Sequence, residues 1–493
     1  MDNFTGSNIP LLILMQNSAK YQGMKPNKTI RSKVMKMKKA IPFIMSLAIV
    51  GSCCMLNNTV NDRCSAITAI KIVEQGTYEV DENTSFEYKV TEHDDTYIGR
   101  YTGTATEVVI PSEINGKKVT GISGNAFYNR ADVTSVTIPD GIKSISMSAF
   151  EKCTGLTSIT IPEGVEEISH SLFMDCSNLK SVTLPESIKY IDYEAFKNCT
   201  ALESINIPDG LEYVMLNAFE NTKWYDDQPD GMIILGKTLF KYKGTMPENT
   251  DVVIPDGIKC ISGKAFEDCT GMSSVAIPDS VELIENDAFS GCSGLTSVTI
   301  PDSVLEMGHY IFEDCTGLTS VKLPEGMKYF AYGTLKGCTS LTSVTLPSSL
   351  LAVGLETFEG CTGLTSITIP DNVTDILDNA FKDCTDLTKI VIPQNVSYIH
   401  ESAFSGCTNL TIYGYKGSEA EKHAKDNNIK FVALDAETTQ QAAKTTAKVT
   451  TTTKAATAKS NSPQTGDKGS TGLVSAGLVA SALAFVSFKK RRK

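Results

Sequence analysis

The chain has few of the residues on which enzymes and metal sites depend. Its 493 residues include only five histidines, and no two of them have the H-E-x-x-H spacing of a zinc protease. The sequence also has no C-x-x-C pair, no G-x-S-x-G turn, no phosphate-binding loop and no dinucleotide-binding fingerprint. We therefore predict no catalytic residue, no metal and no cofactor, and we rank an enzyme third among the possible functions.

Positive charge is scarce as well, since the formal net charge is -12. Phosphate binding needs a basic surface, so this balance argues against a nucleic-acid partner. At the N-terminus, lysines 33, 36, 38 and 39 precede the apolar run 40–56, which is the order of a secretory signal peptide. We assign residues 1–69 to an N-terminal extension and signal peptide. A competing hypothesis is lipidation of Cys53, which ends a Val-Gly-Ser-Cys sequence.

The C-terminal tail, residues 462–493, has three parts. These are Ser-Pro-Gln-Thr-Gly-Asp at 462–467, an apolar run at 472–488 and five cations at 489–493. An apolar run of this length holds the chain in the membrane, and the cations keep its end in the cytoplasm. The tail resembles the LPXTG class of sortase signals, with Ser462 in place of Leu; the candidate signal residues are Pro463, Gln464, Thr465 and Gly466.

The resemblance implies that a sortase cleaves between Thr465 and Gly466 and joins Thr465 to peptidoglycan. A simple C-terminal membrane anchor is the alternative. The preceding segment 435–461 is rich in Thr, Ala and Lys without an apolar period, so we predict a disordered spacer there.

Prolines recur every 23 residues through the middle of the chain. They stand at 139, 162, 185 and 208, and again from 255 to 393, with one irregular step of 47 residues between the two series. Pro111 begins a looser copy. Positions around each proline also recur: Val or Ile three before, Ile or Leu one before, Phe eleven after and Cys fourteen after. Among these predicted core columns are Phe150, Phe173, Phe196, Phe289, Phe312, Phe381, Cys153, Cys176, Cys292 and Cys315.

This pattern predicts stacked turns. Val298 and Ile300 lie two residues apart, so they share one face of a short β-strand, which Pro301 ends. Val304 and Met307 are expected to point back into the core. A single copy cannot bury these groups alone, whereas stacked copies bury them against each other.

The repeat resembles the BspA-like, or Treponema pallidum-type, leucine-rich repeat family over about residues 85–434. The family implies a repeat solenoid that is right-handed, with parallel β-strands on one face, short turns or 3-10 segments on the other, and a cap at each end. It also implies display on a cell surface, and some members bind extracellular-matrix proteins and host cells.

Three segments depart from the period: one on each side of the solenoid, which we place at 111–414, and one inside it. Residues 70–110 are predicted to cap the first turn, and residues 415–434 to cap the last, with Ser418 starting a helix 419–426. The island at 220–250 is predicted to be a widened copy with a hairpin around 233–242.

The recurring cysteines are expected to be free and buried, because there is one per turn and neighbouring side chains run parallel. Cys260 lies off this column, and we expect it to be more exposed. A carboxylate follows most prolines, as at Asp140 and Asp302, which leaves two interpretations: turn chemistry or a calcium ladder.

Ligand specificity must come from positions that differ between turns. Aromatic residues gather five and eight residues after certain prolines and just beyond. We define the first aromatic patch as Tyr190, Tyr193, Tyr213, Trp224 and Tyr225. The second aromatic patch is His309, Tyr310, Tyr329 and Tyr332. Stacking is expected to bring Tyr190 beside Tyr213, and aromatic residues of this kind are favoured at binding sites.

The leading hypothesis is an adhesin that presents the solenoid to an extracellular protein or glycan. The rival is a structural spacer or coat component without a specific ligand, which the uniform Ser and Thr rows of the strands favour. Sortase and peptidoglycan are the other expected partners.

Overall fold

The computed structural model describes residues 71–434, which form a parallel-strand β-solenoid of about 15 turns with a spacing of about 23 residues. The predicted repeat fold is confirmed. Residues 1–70 and 435–493 lie outside the described part, and with them the predicted signal peptide, Cys53, the spacer and the sortase signal.

The first parallel ladder consists of the strands that precede the prolines. In each strand the central Val or Ile is buried, while the flanking Ser and Thr point outward. Its strands are Glu107–Val109, Ser135–Thr137, Ser158–Thr160, Ser181–Thr183, Ser204–Ile205, Thr250–Val253, Met272–Ala276, Ser297–Thr299, Ser320–Lys322, Ser366–Thr368 and Lys389–Val391. Threonines beside these strands add side-chain bonds along the axis, since Thr319 Oγ1 donates to the Thr296 carbonyl of the turn before at 2.9 Å.

A second parallel ladder lies five and six residues after the prolines, where the sequence pattern predicted no strand. Its strands are Ser144–Ile145, Glu167–Ile168, Tyr190–Ile191, Tyr213–Val214, Cys260–Ile261, Leu283–Ile284, Glu306–Met307, Ala352–Val353, Asp375–Ile376 and Tyr398–Ile399. The second residue of each strand faces the core, and the first is free to vary because it faces outward in most turns. This ladder therefore presents the variable aromatic positions.

The third side of each turn is held by backbone bonds without regular strands. Ser148, Phe150 and Lys152 donate their amides to carbonyls of the next turn at 3.0, 3.0 and 2.8 Å, and later turns repeat the set. The bonds require left-handed backbone nine and thirteen residues after most prolines, as at Ser148 (φ 55°) and Lys152 (φ 62°). Left-handed backbone is unfavourable for residues other than glycine. The bonds of this third ladder therefore form in spite of local backbone strain.

The phenylalanine and cysteine columns fill the core behind this third side. Neighbouring rings are stacked, with centroids 5.5 Å apart between Phe150 and Phe173. Each thiol does more than fill space: Cys176 Sγ donates to the Phe150 carbonyl of the preceding turn at 3.0 Å, and eight other cysteines do the same to the equivalent carbonyl. All eleven cysteines of the described residues are free and buried.

The expectation that Cys260 is exposed was wrong, because this residue is fully buried. It lies in the second ladder between Thr238 and Leu283. Its column faces outward in regular turns, but here the hairpin of the island lies against it. The thiol is thus enclosed by the irregular segment, which the period could not reveal.

Both ends of the array have closing elements. At the N-terminus the antiparallel strands Ile72–Glu79, Ser85–Thr91 and Thr96–Tyr101 precede a small hairpin, Glu113–Ile114 with Lys117–Ile122. At the C-terminus, strands Thr411–Gly414 and Lys430–Ala433 extend the first ladder around helix Glu419–Asp426. Ser418 accepts from the Glu421 amide as the predicted N-cap, and the His423 ring covers Phe404 at 5.5 Å.

The island contains a short helix, Lys223–Asp226, followed by the hairpin Gly231–Leu235 and Thr238–Lys243. The hairpin's second strand joins the second ladder by parallel pairing with Cys260–Ile261. The predicted hairpin is therefore present, and it inserts an antiparallel strand into a parallel array.

A second irregular turn follows Pro324. Leu335 stands where nearly every other turn has Phe, and Phe330 stands where the other turns have a smaller aliphatic residue. Phe330 packs edge-on against Phe358 at 5.6 Å, so its ring occupies the space beside the shorter Leu335. The two substitutions compensate in volume, which keeps the core filled.

Candidate functional site

The first aromatic patch centres on a stacked pair. Tyr190 and Tyr213 occupy paired positions of the second ladder, and their rings lie 5.1 Å apart and nearly parallel. Tyr193 contacts the His170 ring at 6.4 Å. All three tyrosines are half-buried. The structure therefore brings these residues together as the repeat predicts.

Two of these tyrosines have partners that the sequence analysis missed. The Tyr193 hydroxyl donates to Glu285 Oε1 at 2.8 Å, and the Tyr213 hydroxyl donates to Glu282 Oε2 at 3.0 Å. Burial, followed by the bond to Glu282, raises the pKa of Tyr213. These contacts span 92 and 69 residues across the island, so no local pattern signals them. The hydroxyls of Tyr193 and Tyr213 thus form hydrogen bonds within the protein.

Trp224 and Tyr225 lie on the island helix and pack inward. Trp224 lies 4.6 Å from the Phe219 ring, and Tyr225 contacts Phe240 edge-on at 6.2 Å. Lys243 donates to the Tyr225 carbonyl at 3.2 Å, close to the end of the helix where cations are favoured. Both aromatic residues of the island helix therefore pack on rings of the core.

The second aromatic patch surrounds the irregular turn after Pro324. The rings of Tyr310 and Tyr332 meet edge-on at 4.8 Å, and the Tyr332 amide donates to His309 Nδ1 at 3.0 Å. Lys336 pairs with Glu356 at 2.8 Å, and Glu356 also accepts from the Tyr332 hydroxyl. Burial raises the pKa of Tyr310 to about 12, so this phenol stays protonated.

A glycine makes room for the second patch. A Cβ on Gly333 would lie 2.4 Å from the Tyr310 ring, and Tyr310 itself has a left-handed φ of 56°. Left-handed backbone is usual nine residues after the prolines, but among the turns from Pro139 to Pro393 only these two adjacent turns have a tyrosine and a glycine there. The position of the Tyr310 ring therefore depends on the absence of a side chain at residue 333.

Tyr329 is 58% exposed, whereas Tyr310 and Tyr332 are half-buried. Leu305, which immediately precedes the second-ladder strand Glu306–Met307 on the turn before, is 59% exposed. The sequence analysis missed Leu305, although a signal existed: earlier turns have Lys or Glu at this position. An exposed apolar pair beside the second patch is typical of a contact surface more than of a solvated one.

The acidic residues after the prolines take part in turn chemistry. Asp302 Oδ1 accepts from the Glu325 amide of the next turn at 2.9 Å, and Glu163 Oε1 accepts from the Glu186 amide at 3.4 Å. Among the described residues, no group of three His, Cys, Asp or Glu side chains is arranged to hold a metal ion.

Asp378, His400 and Ser402 also converge. His400 Nδ1 lies 2.9 Å from Ser402 Oγ and 3.2 Å from Asp378 Oδ1, and Ser402 contacts Asp378 directly. A catalytic relay needs the serine and the carboxylate on different ring nitrogens. Because one nitrogen faces both groups here, the arrangement is a hydrogen-bonded corner between turns.

None of the helices within residues 71–434 is long and apolar enough to cross a membrane. The predicted sortase residues, from Pro463 to Gly466, lie outside the described part.

Comparison with known proteins identifies both the repeat and the tail. The model of the BspA type leucine-rich repeat region matches residues 120–246, 233–351 and 331–418, together more than half of the chain. The model of the LPXTG cell wall anchor motif matches residues 463–493. None of the curated proteins matches the chain.

Solved structures of bacterial repeat proteins are similar. A leucine-rich cell surface protein from Faecalibacterium prausnitzii is 24% identical and covers 71% of this chain and 97% of its own, with a TM-score of 0.31. A leucine-rich repeat protein from Bacteroides ovatus is 27% identical and covers 73% and 100%, with a TM-score of 0.34. Because these TM-scores are low, the assignment depends on the family models.

Proposed function

Because the chain belongs to the BspA-type leucine-rich repeat family and carries a cell-wall anchor motif, we propose that it is an adhesin which binds an extracellular protein or glycan. The anchor motif and the repeat make it a secreted bacterial surface protein attached to the cell wall after sortase processing. A wall-attached solenoid offers a broad surface to whatever lies outside the cell.

The observation that carries the proposal is the exposed pair Leu305 and Tyr329 beside the second aromatic patch. Both side chains are large and lie on the outward face, with 59% and 58% of their surfaces exposed. Exposed tyrosines are favoured as binding hot spots, because they bury much area at small entropic cost. We therefore propose the second patch, extended by Leu305, as the contact surface.

The first aromatic patch is a weaker candidate. Tyr193 and Tyr213 use their hydroxyls on Glu285 and Glu282, and Trp224 and Tyr225 pack on core rings. Their substitution would alter the fold before it altered a ligand contact. A test of binding should therefore begin with Leu305 and Tyr329.

The test compares two matched double variants of the full-length protein. L305S/Y329S changes the proposed surface, while V109S/V253S changes two residues of the first ladder that are 61% and 66% exposed. Binding is measured against matrix proteins, mucin and plant polysaccharide. We expect saturable binding that L305S/Y329S weakens by about tenfold or more, equivalent to about 1.4 kcal/mol, and that V109S/V253S leaves unchanged.

The structural spacer is the second candidate, because the Ser and Thr rows of the first ladder are uniform over many turns. A uniform surface offers little specificity. Absence of saturable binding across the whole panel would favour the spacer and contradict the adhesin. Equal binding by both double variants would show that the contact surface does not include Leu305 and Tyr329.

A further inference from the structure

The buried apolar residues form two separate clusters that meet at the island. One extends from Phe86 to Phe240 and the other from Leu239 to Ala424. The hairpin strand Thr238–Lys243 lies between them, since successive side chains of a strand point to opposite faces. The solenoid thus has two cores.

All three inter-turn ladders are interrupted at this level. The first ladder stops at Ile205 and resumes at Thr250. The second ladder has no strand pairing between Tyr213–Val214 and the hairpin. On the third side, among the described residues, Phe219 donates no amide bond to a following turn. Regular turns are joined by repeated backbone bonds, whereas here fewer remain, among them the bond from the Lys237 amide to the Leu211 carbonyl at 2.9 Å.

Side chains replace the missing backbone bonds. The buried Thr238 hydroxyl donates to the Glu212 carbonyl at 2.9 Å and accepts from the Val214 amide at 3.1 Å. Lys259 bridges Glu212 on one side at 3.4 Å and Glu282 on the other at 3.7 Å. Burial raises the pKa of Glu212, but Lys237 and Lys259 outweigh that effect and lower it overall.

Two tyrosine–glutamate bonds connect the cores directly. We call Tyr193–Glu285 and Tyr213–Glu282 the clasp. Both tyrosines belong to turns of the N-terminal core, and both glutamates belong to the turn after Pro278 in the C-terminal core. The clasp therefore connects turns on the two sides of the hairpin, which are not neighbours along the chain.

Glu285 is the buried member of the clasp, with 3% of its surface exposed. Its carboxylate accepts from the Gly263 amide at 2.9 Å and from the Ser262 hydroxyl at 3.3 Å, besides Tyr193. The Leu216 amide and the Cys260 thiol also face it. Asp192 lies nearby, with its carboxylate bonded to the Tyr193 amide at 2.7 Å.

Burial affects the pKa of Glu285 more strongly than these hydrogen bonds do. It raises the pKa of Glu285 from 4.5 to about 7, although the hydrogen bonds oppose the shift. Burial likewise raises the pKa of Asp192, while His170 opposes that shift. The carboxyl group of Glu285 is therefore more easily ionised once water reaches it.

We propose that the island is a pH-sensitive joint, at which two separately cored segments of the solenoid are coupled by the clasp and uncouple as the pH rises. Opening the joint exposes Glu285 to water, where its ordinary acidity returns and a proton is released. Opening is consequently favoured as the pH rises from about 4.5 to about 7 and is constant above that range. At neutral pH and below, protonated Glu285 favours the closed joint.

The size of the effect follows from the Glu285 shift. Each pKa unit changes the opening equilibrium tenfold, so the shift from 4.5 to about 7 corresponds to roughly 300-fold in total. Between pH 5 and pH 8 the expected change is roughly 70-fold, because part of the titration of the open form lies below pH 5.

The experiment is hydrogen exchange of the full-length protein, resolved to the segments that contain Leu216 and Gly263. Rates are expressed as protection factors, which removes the intrinsic pH dependence of exchange. We expect protection at both segments to fall by roughly 70-fold from pH 5 to pH 8, while protection around the Phe150 and Phe381 columns stays constant. E285Q should abolish the pH dependence.

The control separates the clasp from ordinary tyrosine bonds. Y193F/Y213F removes both clasp hydroxyls, whereas Y332F removes a similar bond to Glu356 on an adjacent turn of one core. We expect Y193F/Y213F, but not Y332F, to lower protection at the island. Constant wild-type protection between pH 5 and pH 8, or an equal effect of Y332F at the island, would overturn the proposal.

Discussion

Substitution of two glycines at one repeat position separates backbone strain from packing between turns. Gly337 and Gly360 both stand thirteen residues after a proline, and both have a φ of +72°. A Cβ on Gly337 would lie 2.0 Å from Asp314 Oδ1 and 3.3 Å from the Asp314 Cα. A Cβ on Gly360 would meet nothing nearer than 3.7 Å, since its neighbour is Gly337 itself.

Both alanine variants incur the left-handed penalty, which is about 1 kcal/mol for an L-residue. In G337A the short side chain of Asp314 must also move, and overpacking of this kind adds about 1–3 kcal/mol. The free energy of unfolding should therefore fall by about 1 kcal/mol in G360A and by about 2–4 kcal/mol in G337A. Urea unfolding followed by circular dichroism measures both.

A double-mutant cycle tests the cause. Asp314 also has left-handed backbone, with a φ of 56°, so D314G introduces no new strain. In D314G/G337A the added methyl group no longer meets a carboxylate, and its cost should fall to that of G360A. Equal losses in G337A and G360A, or a cycle without coupling between residues 314 and 337, would refute the reasoning.

Three further predictions concern the core and the island. Burial raises the pKa of Cys315 to about 12, so native protein should not react there with iodoacetamide at pH 8, and peptide mapping after labelling should find Cys315 modified only in unfolded protein. F330I and L335F should each lower the melting temperature, by a cavity and by overpacking respectively, whereas the double variant should lose less than the sum. T238V leaves the buried Val214 amide unpaired and should cost about 1–3 kcal/mol in urea unfolding, while T238S keeps the hydroxyl and should cost less.

The columns of the repeat could be predicted from the sequence because each has one physical cause. A residue that faces the core in one turn faces it in all regular turns, so the Phe and Cys positions were identifiable without coordinates. The helix at 419–426 followed from its N-cap, Ser418. The second ladder was missed, because its strands are only two residues long and show no alternation in the sequence.

Contacts across the island could not be predicted. Tyr193 and Glu285 are 92 residues apart, and no local spacing in the sequence places them together. The burial of Cys260, whose strand pairs with the second strand of the hairpin, was likewise not evident from the period. The aromatic residues were found by their departure from the period, but which of them face solvent depends on neighbours two or more turns away.

The period also explains where recognition by this protein is possible. Inward columns are fixed by packing, the strand residues of the first ladder repeat Ser and Thr, and the left-handed positions are restricted by the backbone. A regular turn therefore retains few positions at which it can differ from the next. Leu305 and Tyr329 lie at such positions, and Tyr329 belongs to the turn in which Phe330 and Leu335 have the opposite of their usual sizes. A ligand that recognises one place along this solenoid must contact the irregular turns, because the regular ones repeat each other.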